Sequence, residues 1–209
     1  VIYKDDRPDA QERLSAWWDK DVIERPAIMV GAPRSGLDER PYWDSWDFSR
    51  YPDDPMRVIR IREPWCSATY FGGETFPNLW INLGAGVGSA FLGADPVFYS
   101  NTMWFDRPME WDQLRDIEMD LQNEWWLRAR HDTEISVEKG AGKFFVGITD
   151  LGGMLVVAQS LRGKKRQMVD LFRHPKEVTD LCWRILETWH RCYDEWYAII
   201  QSKMNGPSA

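Results

Sequence analysis

Hydrophobic positions along this chain follow two rhythms. Val178, Leu181, Cys182, Ile185, Trp189, Cys192, Tyr193, Trp196 and Ile200 recur at the 3.6-residue spacing of an amphipathic helix. Pro175 and Glu177 stand in its first turn, and Gly206-Pro207 marks its stop. Elsewhere the apolar residues come in short continuous runs, at 27–30 (AIMV), 79–83 (LWINL) and 143–148 (KFFVGI), which have the length of buried strands.

Between these anchors the pattern predicts a helix from Arg7-Pro8 to about residue 19, with Leu14, Trp17 and Trp18 as its apolar face. Residues 35–52 have no period and read as a long ordered loop of the kind that forms lids. A helix follows Asp54-Pro55 and runs to about residue 66, and residues 72–74 lead into the next strand. Two short β segments are expected at 97–99 and 102–105, a helical turn near 110–114 and a brief edge strand at 117–119. Asn123 suits the N-cap of a helix running toward residue 137, and further helices are expected at 154–161 and 168–172. Repetition of strand, loop and helix predicts parallel strands joined by right-handed crossovers.

The stretch FPNLWINLGAGVGSAFLG, residues 76–93, changes character halfway. A buried strand gives way to Gly84, Gly86 and Gly88 among small residues, so backbone can approach backbone or ligand closely. Strand ends carry the chemistry of parallel α/β folds, which singles out Asn82 and Gly84. The glycines lack the spacing and the downstream acidic residue of a dinucleotide loop.

Composition narrows the picture. The 209 residues carry no low-complexity linker and read as one domain, 1–209. A net charge of -7 with pI near 5.1 disfavours a nucleic-acid partner, and the one basic cluster, RGKKR at 162–166, reads as a solvated loop. No apolar run is long enough to span a membrane. Cys66, Cys182 and Cys192 have unrelated spacings and no secretory signal ahead of them, which suits a reducing, cytoplasmic compartment. Thirteen tryptophans serve either as packing or as platforms for sugars and planar ligands, and their helical contexts place most of them in packing.

Several stretches, in this order, resemble the uroporphyrinogen decarboxylase superfamily, which includes corrinoid-dependent methyltransferases. They are RPAIMVGAPR (25–34), FPNLWINLGAGVGSAFLGADPVF (76–98), Asn123-Glu124-Trp125-Trp126, GKFFVGITDLGGMLVVAQSLRG (142–163) and MVDLF (168–172) before His174-Pro175. The resemblance implies a TIM (β/α)8 barrel with its ligand at the C-terminal strand ends. A barrel needs ~250 residues and eight strands. The pattern here supplies about four, so the chain is expected to be the N-terminal half of an α/β barrel that a missing C-terminal half completes.

Within that resemblance the decarboxylases carry an Asp where this chain has Gly84. Their arginine pair has only Arg34 as a counterpart, and a later tyrosine falls at Gln159. Uroporphyrinogen decarboxylation is therefore the weaker implication. A methyltransferase-type enzyme for a small methylated substrate is the stronger one, with a corrinoid protein as partner and zinc held by ligands outside this segment. His190 and Cys192 stand two apart on a helix, about 200° around its axis, and cannot share a metal. His131 and His174 read as helix-terminal residues, so no metal ligand is assigned here.

Converging strand ends would bring Arg34, Asn82, Trp104 and Asp150 to one mouth. Arg34 would hold a carboxylate or phosphate, Asn82 would read an amide or hydroxyl, Trp104 would form an apolar wall and Asp150 would take a proton as the catalytic residue. Gly84 and Glu74 complete the substrate-binding set. Each has a structural alternative: a surface ion pair for Arg34, a backbone turn for Asn82, the core for Trp104, a helix cap for Asp150 and a solvated loop for Glu74. The competing function is a non-catalytic relative whose aromatics hold a small molecule such as a sugar.

Overall fold

The computed structural model describes residues 1–36 and 40–203. Helix α1 (Arg7–Trp18) opens with proline in its first turn, where a missing N–H costs nothing. It leads to β1 (Met29–Pro33) and the short α2 (Asp47–Arg50). Helix α3 (Pro55–Ser67) is capped by the Asp54 carboxylate, which accepts from the Arg57 N–H at 2.9 Å. Next come β2 (Thr69–Gly73), β3 (Asn78–Trp80), α4 (Gly88–Phe91), β4 (Pro96–Phe98), β5 (Met103–Phe105) and α5 (Trp111–Leu114). Helix α6 (Glu124–Gly140) starts where Asn123 Oδ1 accepts from the N–H groups of Trp125 and Trp126. After β6 (Phe145–Gly147) come α7 (Met154–Arg162), α8 (Lys164–Arg173) and α9 (Pro175–Lys203). The Gly206-Pro207 stop lies outside the described residues.

The strands form three separate pairs. β1 and β2 are antiparallel, with Met29 opposite Gly73 and Pro33 opposite Thr69. β4 and β5 form an antiparallel hairpin. Among the described residues only β3 and β6 run parallel, with Asn78 opposite Phe145 and Trp80 opposite Gly147. This overturns the expected half-barrel of about four parallel strands: among the described residues 51% are helical and 11% lie in strands, always in two-stranded sheets. The error lies in the run at 27–30. Its apolar letters suggest a strand buried on both faces, yet Ile28, Met29 and Val30 are all exposed. Its partner is β2, whose Gly72-Gly73 end reads in sequence as a mere connection. The edge strand expected at 117–119 is also not formed.

The β3/β6 pair has two unlike faces. Leu79 and Val146 point into the main core, which gathers Ile81, Leu83, Phe91, Trp126, Phe144, Leu161 and Trp196 from the strands and from α4, α6, α7 and α9. Trp196, fully buried, stacks on Phe91 and donates its indole N–H to Thr133 Oγ1 at 3.0 Å. Asn78, Trp80, Phe145 and Gly147 face the other way.

Two local expectations change. Trp17 and Trp18 do not form a core face of α1; they are 58% and 78% exposed. The RGKKR segment is not a loop, because Arg162 ends α7 in a buried ion pair with Asp170 and Gly163, at φ 86°, turns the chain directly into α8. No helix among the described residues is long and apolar enough to cross a membrane.

Candidate functional site

Parallel pairing of β3 and β6 sends the two following loops to the same end. They are fastened there by the Val87 N–H, which donates to the Asp150 carbonyl at 3.0 Å. Gly88 sits so close to the second loop that a Cβ would stand 2.5 Å from the Leu151 oxygen. Asn82 is buried and Asp150 half-buried, and each closes its own turn: Asn82 Oδ1 accepts from the Gly84 N–H at 3.0 Å, and Asp150 Oδ1 from the Gly152 N–H at 2.9 Å. Asp150 therefore shapes the turn ahead of α7, whose N-cap is Gly153. Gly84, at φ 109°, is held against Met103 of the β4/β5 hairpin; a Cβ there would meet the methionine side chain at 2.8 Å.

The other sequence-selected residues do not join this cluster. Trp104 follows Met103 and points the opposite way, 58% exposed. Arg34 follows β1 and donates from Nη2 to the Tyr3 carbonyl at 3.2 Å. Glu74 follows β2, whose register puts it at the far end of β1 from Arg34. It is neither a solvated loop residue nor free for substrate. Its side chain is completely buried, with Oε1 accepting from Arg13 Nε at 2.6 Å and Arg25 Nη2 at 2.9 Å, and Oε2 from Arg25 Nη1 at 2.8 Å and the Ile28 N–H at 2.6 Å. The Arg25 hydrogen bonds, helped by those of Arg13 and Ile28, bring this carboxyl down to about 2 against the opposing effect of burial.

A larger feature lies on the outward face of β3 and β6. There a groove of about 1160 Å³ is lined by Trp17 and Trp18 of α1, by Phe76 and Phe145, and by Tyr193 and Tyr197 near the end of α9. Phe76 and Phe145 meet edge to face with centroids 5.4 Å apart, and Tyr193 and Tyr197 stack at 6.0 Å. Gly147 forms part of the floor, with Asn78 and Trp80 beside it. The sequence pattern puts Trp17, Trp18 and Tyr193 on apolar helix faces and says nothing of Tyr197. Adjacent helix positions point about 100° apart, so at most one indole of the Trp17-Trp18 pair can face a core, and here neither does.

The donor set does not fit zinc. Among the described residues no three His, Cys, Asp or Glu side chains gather in a metal-sized group. Cys192 is buried beside the Met119 sulfur at 3.6 Å, and burial pushes its thiol up to about 12. His131 lies within α6, beside Asp132, rather than at a helix end, whereas His174 caps α8.

Fold and groove together define a helix-rich protein of mixed helices and small two-stranded sheets, with an aromatic cleft on the outer face of the parallel β3/β6 pair. Comparison with protein-family models, with curated proteins and with solved structures finds no match.

Proposed function

We propose that this chain is a small-molecule-binding protein resembling the uroporphyrinogen decarboxylase superfamily, and that its ligand lies in the aromatic groove. The groove carries this reading: its volume of about 1160 Å³ is on the scale of small-ligand sites, and rings from α1, the strand pair and α9 converge on it. Glu74 at its margin is already neutralised by two arginines, so the groove makes no demand for a cationic ligand. Arg7, Gln11 and Asn78 supply the polar contacts. Such a lining suits a largely neutral molecule with a flat apolar face, either a sugar ring or a methylated aromatic.

A methyltransferase-type enzyme is the second reading, favoured by the joined loops that bring Asn82 and Asp150 to one end of the parallel pair. Asp150 would there accept a hydrogen bond from a substrate hydroxyl; the substrate's methyl–oxygen bond would break as the methyl group passes to a corrinoid protein or a thiolate, and the departing oxygen would take a proton from water. Zinc would need ligands outside this segment. Uroporphyrinogen decarboxylation fits less well, since Gly84 stands where the resemblance requires an acid. Three free cysteines suit a reducing compartment such as the cytoplasm.

Titrating intrinsic tryptophan fluorescence with methyl β-glucoside and with guaiacol tests the binding reading. Saturable binding of either probe is expected, weakened at least tenfold by Gly147→Leu, which fills the floor. Absence of binding by both probes, or binding indifferent to Gly147→Leu, would overturn it. Transfer of the guaiacol methyl group to cob(I)alamin, lost in Asp150→Asn, would move the assignment to the enzyme.

A further inference from the structure

The buried stripe of α3 has one charged member. Val58, Arg62 and Cys66 follow one another at four-residue spacing, and Arg62 is only 6% exposed. Its guanidinium carbon lies 4.6 Å from the Trp43 ring centre and 4.0 Å from that of Trp65. Nη2 donates to the Asn78 carbonyl, while Nε, also buried, has no hydrogen-bond partner. The exposed Arg40 places its guanidinium carbon 5.1 Å from the same Trp65 ring. Among the described residues neither arginine has a carboxylate partner, whereas Arg13, Arg25, Arg50 and Arg162 each have one.

Among the described residues this arrangement is short of negative charge. Two indole faces and one carbonyl hydrogen bond offset part of the cost of taking a cation out of water, but none of them supplies an opposite charge. A second cation on the shared ring adds to the deficit. Burial first, and Arg40 next, lower Arg62 to about 10, so it is still charged at neutral pH. Cys66 cannot supply the counter-charge, because burial pushes its thiol up to about 11.

We propose that Arg40 and Arg62, flanked by Trp43 and Trp65, form a binding site for a small oxyanion, a carboxylate or a phosphate. The indoles hold the guanidinium planes, leaving N–H edges for the planar or tetrahedral oxygens that arginine pairs with best. Arg40 receives the anion at the surface and Arg62 neutralises it from within. The site is separate from the aromatic groove, touching it only through Asn78, whose carbonyl Arg62 holds and which also lines the groove.

Isothermal titration of the chain at low ionic strength, with inorganic phosphate and with succinate as separate probes, tests the proposal. Saturable one-to-one binding of at least one probe is expected, with sodium chloride at equal ionic strength giving none. Binding of phosphate alone or succinate alone would identify the source, and binding of both would define a general oxyanion site. Arg40→Gln, a surface change, should keep the wild-type melting temperature and weaken binding at least tenfold. Failure of both probes to bind, or unaltered binding in Arg40→Gln, would overturn the proposal.

Discussion

Val87 and Asp150 are joined through their backbones, N–H to carbonyl at 3.0 Å, and this bond fixes the two loops that leave the parallel strands. It forms because Gly88, the next residue, lets α4 lie against the loop around Leu151. An added Cβ would stand 2.5 Å from the Leu151 oxygen, a backbone atom that cannot swing aside.

Gly88→Ala is therefore expected to destabilise the protein although alanine is the better helix former by about 1 kcal/mol. A loss on the order of 2 kcal/mol is expected from overpacking. Urea denaturation measures it, and a variant as stable as wild type would show that the loops are not held as described.

The carboxylate of Glu74 organises the other side of the molecule by joining α1, the segment leading into β1 and the segment after β2. Glu74→Gln leaves Arg13 without its charge partner and should cost on the order of 3 kcal/mol at pH 7. The pH dependence has a definite sign. A carboxyl brought down to about 2 contributes stability that is fully present above its ordinary value of 4.5 and is lost as pH falls from there toward 2. Wild type should lose its advantage over Glu74→Gln across that window, and equal urea midpoints at pH 7 would contradict the role.

Two tryptophans of α9 should respond in opposite ways. Trp196 is completely buried and its N–H has a partner in Thr133, while Trp183 is 60% exposed. Trp196→Phe should cost about 2 kcal/mol through a lost hydrogen bond and a small cavity, and Trp183→Phe less than about 0.5 kcal/mol. Combining Trp196→Phe with Thr133→Ala should cost less than the sum of the single changes. Thermal melts of the four variants decide the matter.

The long periodic helices were legible because their signals are local. Pro8, Asn123 and Pro175 announce starts, and the spacing from Val178 to Ile200 identifies the face of α9 that packs. Strand partnership was not legible, because a run such as AIMV has the same letters whether it lies between parallel neighbours or in an exposed antiparallel ribbon. Asn82 and Asp150 share one end because each follows a strand of the parallel β3/β6 pair. Arg34 and Glu74 were misplaced with β1 and β2. Arg62 carried a readable signal, a charge on the apolar stripe between Val58 and Cys66, which gains meaning only once Trp43 and Trp65 are seen to enclose it.

Asp132 gives the sharpest pH test. Its side chain on α6 is 2% exposed, Oδ1 has no hydrogen-bond partner, and the nearest basic side chains are Arg128 at 3.7 Å and the exposed His131 at 3.5 Å. Burial pushes its carboxyl up to about 6, and Arg128 only partly offsets this. A raised carboxyl favours the folded state fully below the ordinary value of 3.8, and that contribution is lost as pH rises through 6. At pH 7.5 wild type must hold a poorly solvated charge that Asp132→Asn does not carry. The variant forfeits the Arg128 attraction as well, but the upward direction of the shift shows that burial is the larger effect. Asp132→Asn should therefore be the more stable at pH 7.5, by an amount on the order of 2 kcal/mol, and the difference should shrink by pH 4.5. Paired urea titrations at the two pH values read it directly, and a difference that stays constant or grows on acidification would mean that Arg128 outweighs burial.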